Sequence, residues 1–247
     1  MLRIAAPFKL LVDVLMPRGC AGCDATLGPA DGAWCAACAA LILRSQSVAG
    51  CPRCGKDAGP YLASAEGCPE CRGQSWPLDG MARAGPYAGV VGDAVKRLKF
   101  ARRQDLDEVL GEMIAIKVQM QPWGEQIDAL VPVPTDFWSR VRYQGHPAGL
   151  LARAVSRRLR VPVLPLVTLL HKPRRQTGLP ESQRARNVHG AFGIARRARM
   201  AGTRLCVVDD VCTSGATLRE IARVLKAAGA AAVYGAVAAR TQRVAEA

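Results

Sequence analysis

The chain has 247 residues, half of them apolar, and 34 Lys and Arg face 20 Asp and Glu for a formal net charge of +14. The apolar share supports a packed core and excludes a disordered chain, and no apolar run reaches the roughly 18 residues that a bilayer span needs. An excess of this sign points to a polyanionic partner or ligand and away from membrane insertion.

Residues 2–16, LRIAAPFKLLVDVLM, read as an amphipathic helix, because Lys9 and Asp13 interrupt what would have to be the apolar centre of an export signal. The chain is therefore expected in the cytoplasm, where thiols stay reduced. Eight of the ten cysteines follow as four C-x-x-C pairs, Cys20/Cys23, Cys35/Cys38, Cys51/Cys54 and Cys68/Cys71. Tetrahedral zinc takes two thiolates from one tight turn and two from another, and four such pairs in series fit two structural four-cysteine zinc sites. The spacers are 11 and 13 residues if neighbouring pairs combine, as 20/23/35/38 and 51/54/68/71. That sequential pairing needs only short loops; an interleaved pairing is the alternative. Zinc here is scaffolding, since no His precedes His146 and a catalytic site keeps an open position with His or carboxylate ligands.

The segment RGQSWPLDG, residues 72–80, is a linker by composition and divides the chain into residues 1–78 and 79–247. Beyond it, helical periods at VVGDAVKRLKF, LDEVLGEMIAIKVQM, PAGLLARAVSRRL and TLREIARVLKAAG alternate with strand-like runs at DALVPVP, VPVLPLV, RLCVVDD and AAVYGAVAA. The alternation predicts an α/β domain with a mainly parallel sheet flanked by helices, whose ligands bind at the carboxyl ends of the strands.

At one such end stands LCVVDDVCTSGAT, residues 205–217. Leu205 to Val208 form an apolar strand, Asp209 and Asp210 end it as exposed carboxylates, and Thr213, Ser214, Gly215, Ala216 and Thr217 turn into a helix. Small residues and hydroxyls at a helix N-terminus suit a phosphate. The carboxylates repel a phosphate and instead match hydroxyls or a metal, so the pattern fits a ribose 5-phosphate. A helix capped by Thr213 or Ser214 beside solvated aspartates is the alternative.

The stretch VVDDVCTSGAT resembles the phosphoribosyl-diphosphate loop of type I phosphoribosyltransferases. That resemblance implies that Asp209 and Asp210 hold the ribose hydroxyls, as the catalytic acidic pair, and that Thr213 to Thr217 hold the 5-phosphate. With the cysteine pairs, KRLKFARR at 96–103, VPVP at 131–134 and QTGLPESQRARNVHGAF at 176–192, the chain resembles the ComF family over nearly its full length. Members join a double zinc ribbon to a type I phosphoribosyltransferase-like domain and are associated with DNA uptake. The resemblance implies magnesium as a second cofactor and phosphoribosyl diphosphate as ligand. It also implies diphosphate-side contacts from Arg140 and Arg142, and a loop carrying Arg174 and Arg175 that closes over the site. Gln144, Gly145, His146 and Pro147 depart from the family pattern, with His146 and Pro147 replacing an aromatic-Asn pair.

Charge adds an independent point. Residues 140–204 contain 15 Lys or Arg and one acid, Glu181, so the whole formal excess lies there. Single-stranded DNA is the partner such a stretch implies; solvated helix and loop faces are the alternative. Two readings follow: a magnesium-dependent phosphoribosyltransferase of unknown acceptor, and a nucleic-acid-binding accessory protein on the same fold. Trp34, Trp76 and Trp123 are expected in packing roles, Trp138 near the ligand face, His171 and His189 on the surface, and Cys206 in the core.

Overall fold

A computed structural model describes residues 18–28, 31–46, 48–58, 67–72, 76–100, 103, 105–136, 145–171, 186–195 and 200–242. The expected N-terminal helix, Trp138, Arg140, Arg142, Gln144, Arg174 and Arg175 lie outside these residues.

Among the described residues, the first helix is α1 (Ala36–Gln46), which begins within the second cysteine pair and carries Cys38. The α/β part runs β1 (Gly80–Pro86), α2 (Gly89–Phe100), α3 (Leu106–Gln119), β2 (Ala129–Pro132), α4 (Pro147–Leu159), β3 (Val167–Leu169), β4 (Phe192–Ile194), β5 (Arg204–Cys212), α5 (Ala216–Ala227) and β6 (Ala232–Arg240). The main sheet has the order β1-β6-β5-β2 and is parallel throughout; β3 and β4 form a separate antiparallel pair. All four helical periods read from the sequence form helices, and three of the four apolar runs form sheet strands. The run VPVLPLV does not: its prolines cannot donate to a ladder, and it supplies only a bridge at Val163 and the first residue of β3.

Strand alternation places Leu130, Cys206, Val208 and Ala236 against a core shared with α2, α3 and α4. Val131, Leu205, Val207 and Val237 face the opposite core, with Leu218, Ile221 and Leu225 of α5 and Phe192 of β4. Full burial of each such aliphatic side chain contributes about 1.5–3 kcal/mol. Cys206 is the small core hydrophobe expected, and Trp123 stacks on Tyr234 with ring centroids 4.3 Å apart.

The cysteine-rich segment is seated on this sheet. Ala21 and Ile42 belong to the helical-face core, the Met81 N–H donates to the Pro52 carbonyl at 2.8 Å, and Gln46 Nε2 donates to the Ala84 carbonyl at 3.2 Å. The exposed edge of β1 is thereby covered, which protects an unpaired strand edge from pairing elsewhere.

Candidate ribose-phosphate loop and zinc ribbons

The cysteines gather as two sets, Cys20, Cys23, Cys35 and Cys38, and Cys51, Cys54, Cys68 and Cys71, with the sulfurs of each set within 4.8 Å of one another. Pairing is sequential. Zinc–sulfur bonds of about 2.3 Å in a tetrahedron put sulfurs about 3.8 Å apart. The separations Cys23–Cys35 at 3.7 Å and Cys54–Cys68 and Cys68–Cys71 at 3.8 Å match that edge. Both sets therefore fit zinc.

Each set opens on the same knuckle. Gly19 bridges Thr26, and Gly50 bridges Asp57. The Cys20 and Cys51 N–H groups donate across the turn to Ala25 and Lys56. The residue after the leading C-x-x-C of each set is left-handed, Asp24 at φ 62° and Gly55 at φ 72°. Backbone N–H groups reach the leading sulfurs: Gly22 of the first turn donates to Cys20 Sγ at 3.4 Å, and from the second pair of each set Cys35 donates to Cys20 Sγ and Cys68 to Cys51 Sγ, both at 3.2 Å. Burial raises the Cys20 thiol, but N–H groups from Cys35, Cys23 and Gly22 outweigh it and bring it down to about 6. Cys51 is lowered to about 4, first by the Cys54 thiol and then, against burial, by backbone N–H groups.

The second feature is the end of β5. The strand continues past the aspartates to Cys212, pairing with β6 as far as Arg240, whereas its ladder with β2 stops at Val208. The backbone of Asp209 and Asp210 is therefore flanked by β6 alone. The expectation of two exposed carboxylates is not met. Asp209 is half-buried and Asp210 is buried. Asp210 lies on the helical side of the sheet, where Lys99 Nζ of α2 meets its Oδ1 at 2.9 Å. Burial, then the neighbouring Asp210, raises the Asp209 carboxyl to about 8 despite Lys99. Burial works against the Lys99 charge, but Asp210 and Asp209 outweigh it and hold that pKa above the ordinary lysine value. The two carboxylates are electrically distinct: one has a fixed cation, and the other keeps its proton near neutrality.

The turn after Cys212 begins α5. Gly215, at φ 79°, takes the capping position of the first turn with no side chain of its own, and Ser214 Oγ accepts the N–H of Ala216, the first helical residue, at 3.3 Å, as the capping alternative expects of Ser214. Thr213 is exposed, Thr217 half-buried, and Ser214 and Ala216 buried. A side chain at Gly215 would sit 3.1 Å from the Trp76 ring, and that ring packs against the second cysteine set with Arg219 stacked on it at 4.8 Å. The loop is therefore walled by the segment that the sequence marks only as a linker.

Three positions that contact the loop escape the sequence reading of the site. Lys99 lies inside KRLKFARR, but nothing in that string says which of its cations faces a carboxylate. Arg240 follows an apolar run and reads as its polar end, yet it is 1% exposed. Trp76 carries no signal at all. The departing Gly145-His146-Pro147 stretch has a local cause: His146 Nε2–H donates to the Val133 carbonyl at 2.7 Å, and Pro147 opens α4 at the position where a missing N–H costs nothing.

The double zinc ribbon domain family matches residues 11–72, and the phosphoribosyl transferase domain family matches residues 148–245. Competence protein F of Haemophilus influenzae is 29% identical over 85% of this chain and 91% of its own length. The chain is similar to this protein along most of both lengths. The DNA utilization protein YhgH of Escherichia coli K12 is likewise 29% identical, over 82% of this chain and 88% of its own. Among solved structures, glutamine phosphoribosylpyrophosphate amidotransferase from B. subtilis aligns at 20% identity and a TM-score of 0.39 over 57% of this chain and 30% of its own. Both matched segments are present in this chain, and the second includes the β5–α5 loop described above.

Proposed function

We propose that this ComF-like protein binds phosphoribosyl diphosphate with magnesium at the β5–α5 loop and transfers the phosphoribosyl group to an acceptor. The observation that carries this reading is the juxtaposition of Asp209 and Asp210 with the Thr213–Thr217 turn at one strand end. Asp209 and Asp210 would accept hydrogen bonds from the ribose hydroxyls, and the N–H groups opening α5 would take the 5-phosphate. Arg140 and Arg142 on the diphosphate, and Arg174 and Arg175 in a closing loop, complete the site in this proposal. Magnesium would supply charge neutralisation of the leaving diphosphate. We place the protein in the cytoplasm and its division into two domains at residues 78 and 79.

A non-catalytic, single-stranded DNA-binding role is the second reading. It is supported by the name of the YhgH relatives, DNA utilization protein, and by Arg153 and Arg160, exposed cations of α4 and its end. Arg157 and Arg158 support it less, because Glu108 and Glu112 of α3 pair with them. Calorimetric titration of magnesium with phosphoribosyl diphosphate, followed by a pyrophosphate-release assay across candidate bases, decides between the two. Binding with release supports the transferase. Binding without release for any acceptor, together with DNA affinity that falls steeply with salt, supports the accessory role.

A further inference from the structure

Arg240 is almost entirely buried at the end of β6, and no carboxylate among the described residues pairs with it. Its acceptors are all carbonyls or a hydroxyl. Nε donates to Cys54 of the second knuckle at 2.8 Å. Nη1 donates to Cys212 at 3.0 Å, to Thr213 and to Thr241. A guanidinium taken from water without a counterion carries a penalty of several kcal/mol. The group able to offset it is the second cysteine set: a zinc ion on four thiolates has a net charge of about −2, and Arg240 is bonded to the backbone of one of those cysteines.

The carbonyls it holds matter as much as the charge. In a trans peptide the C=O and the following N–H point in opposite directions. Fixing the Cys212 carbonyl on Arg240 directs the Thr213 N–H away from it, and fixing the Thr213 carbonyl does the same for Ser214. Thr241 reinforces the arrangement, its N–H donating to the Cys212 carbonyl at 3.0 Å and its hydroxyl to Thr213 at 3.1 Å. On the ribbon side, Gly55 lies over the same arginine, where an added Cβ would be 3.9 Å from Arg240 Cδ.

We propose that Arg240 is a positioning residue that uses the second zinc ribbon as both counter-charge and anchor, and through it sets the N–H groups of the phosphate loop. The first ribbon has no such link among the described residues. The inference rests on the proposed function for its ligand, not for its mechanics.

Three readouts on the full chain test it: zinc content, hydrogen exchange of the amides at 213–217 without ligand, and affinity for magnesium with phosphoribosyl diphosphate. Arg240→Lys keeps the charge but cannot reach carbonyls on both sides. It is expected to retain two zinc ions and most of the melting temperature, while 213–217 exchange at least about tenfold faster and affinity falls about tenfold. Arg240→Gln loses melting temperature as well. Should that variant not fold, Cys68→Ser, which opens the second cluster, is compared with Cys23→Ser, which opens the first. Exchange at 213–217 rises in Cys68→Ser and stays at the parent's level in Cys23→Ser. Full rescue of exchange protection by Lys, or equal exchange in the two cysteine variants, overturns the proposal. A parent that fails to bind the ligand yet shows these exchange differences refutes the proposed function and leaves the positioning role standing.

Discussion

At the first knuckle the left-handed position is Asp24, and its carboxylate reaches Arg103 at 2.6 Å and Arg97 at 3.2 Å while remaining half exposed. At the second knuckle the equivalent position is Gly55, with no side chain, and Met81 and Arg240 press against it. One turn, used twice, is thus attached to the α/β part by two kinds of force. The first ribbon is held by the half-buried Arg97 and Arg103, which pair with the exposed Asp24 and donate to ribbon carbonyls, and by Ala21 and Ile42 in the core. The second is held by buried arginines and by packing: Arg83, also buried, pairs with Asp57. The burial of the cysteines follows the same division, since all four of the second set are buried whereas Cys23 is exposed and Cys35 half-buried. The lesson is that a repeated metal motif need not have a repeated role. Exposed ion pairs contribute little and fade with salt, whereas breaking a buried contact costs several times more.

The largest expected difference is between the two clusters. Cys68→Ser and Cys23→Ser each lower bound zinc from two equivalents to one by metal analysis. In thermal unfolding the second-cluster variant is the more damaged, losing on the order of 5 kcal/mol, a fraction of what structural zinc contributes in small peptides. Equal melting temperatures would erase the distinction between the ribbons. A smaller effect belongs to the α2 contact with the loop. Lys99→Met leaves Asp210 buried without its cation and is expected to destabilise by about 3 kcal/mol. Asp210→Asn in that background recovers much of the loss, and chemical denaturation of the two variants measures it. The smallest effect is at the exposed hinge of the first ribbon: Asp24→Asn keeps a residue tolerant of the left-handed turn and costs less than about 1 kcal/mol, a difference that shrinks further in high salt.

How far the sequence carries differs between these regions for physical reasons. Helical periods in residues 90–100, 106–120, 147–159 and 217–229 sit on one face each, so periodicity alone locates α2 to α5. Strand β1 is invisible to the same reasoning, because GMARAGP has Arg83 in its centre and few bulky apolar residues; it is a strand through its ladder with β6 and its cover from the ribbon. The cysteine sets are legible since C-x-x-C spacing is itself the coordination geometry. The loop is legible by residue type as a candidate phosphate site, but the inequality of Asp209 and Asp210 is not, for it depends on which sheet face each one takes and on Lys99 arriving from a helix more than a hundred residues earlier. Arg240 is hidden for the same reason: its partners are backbone carbonyls, which every residue carries and no string reveals.

That inequality also supplies the most direct test of the central claim, that the β5–α5 loop holds the ribose of phosphoribosyl diphosphate. The affinity of magnesium with phosphoribosyl diphosphate is measured by calorimetry between pH 6 and pH 9, for the parent and for Asp209→Asn. The Asp209 carboxyl is raised to about 8, so it is mostly protonated at pH 6 and becomes the better acceptor for ribose hydroxyls and magnesium as pH rises. Parent affinity is expected to climb about tenfold from pH 6 and to level only near pH 9, about a unit above that pKa. Asp209→Asn, with no proton to lose, binds about ten- to a hundredfold more weakly at pH 8 and shows only the titration of the ligand itself. A variant that matches the parent in both affinity and pH profile would contradict the account.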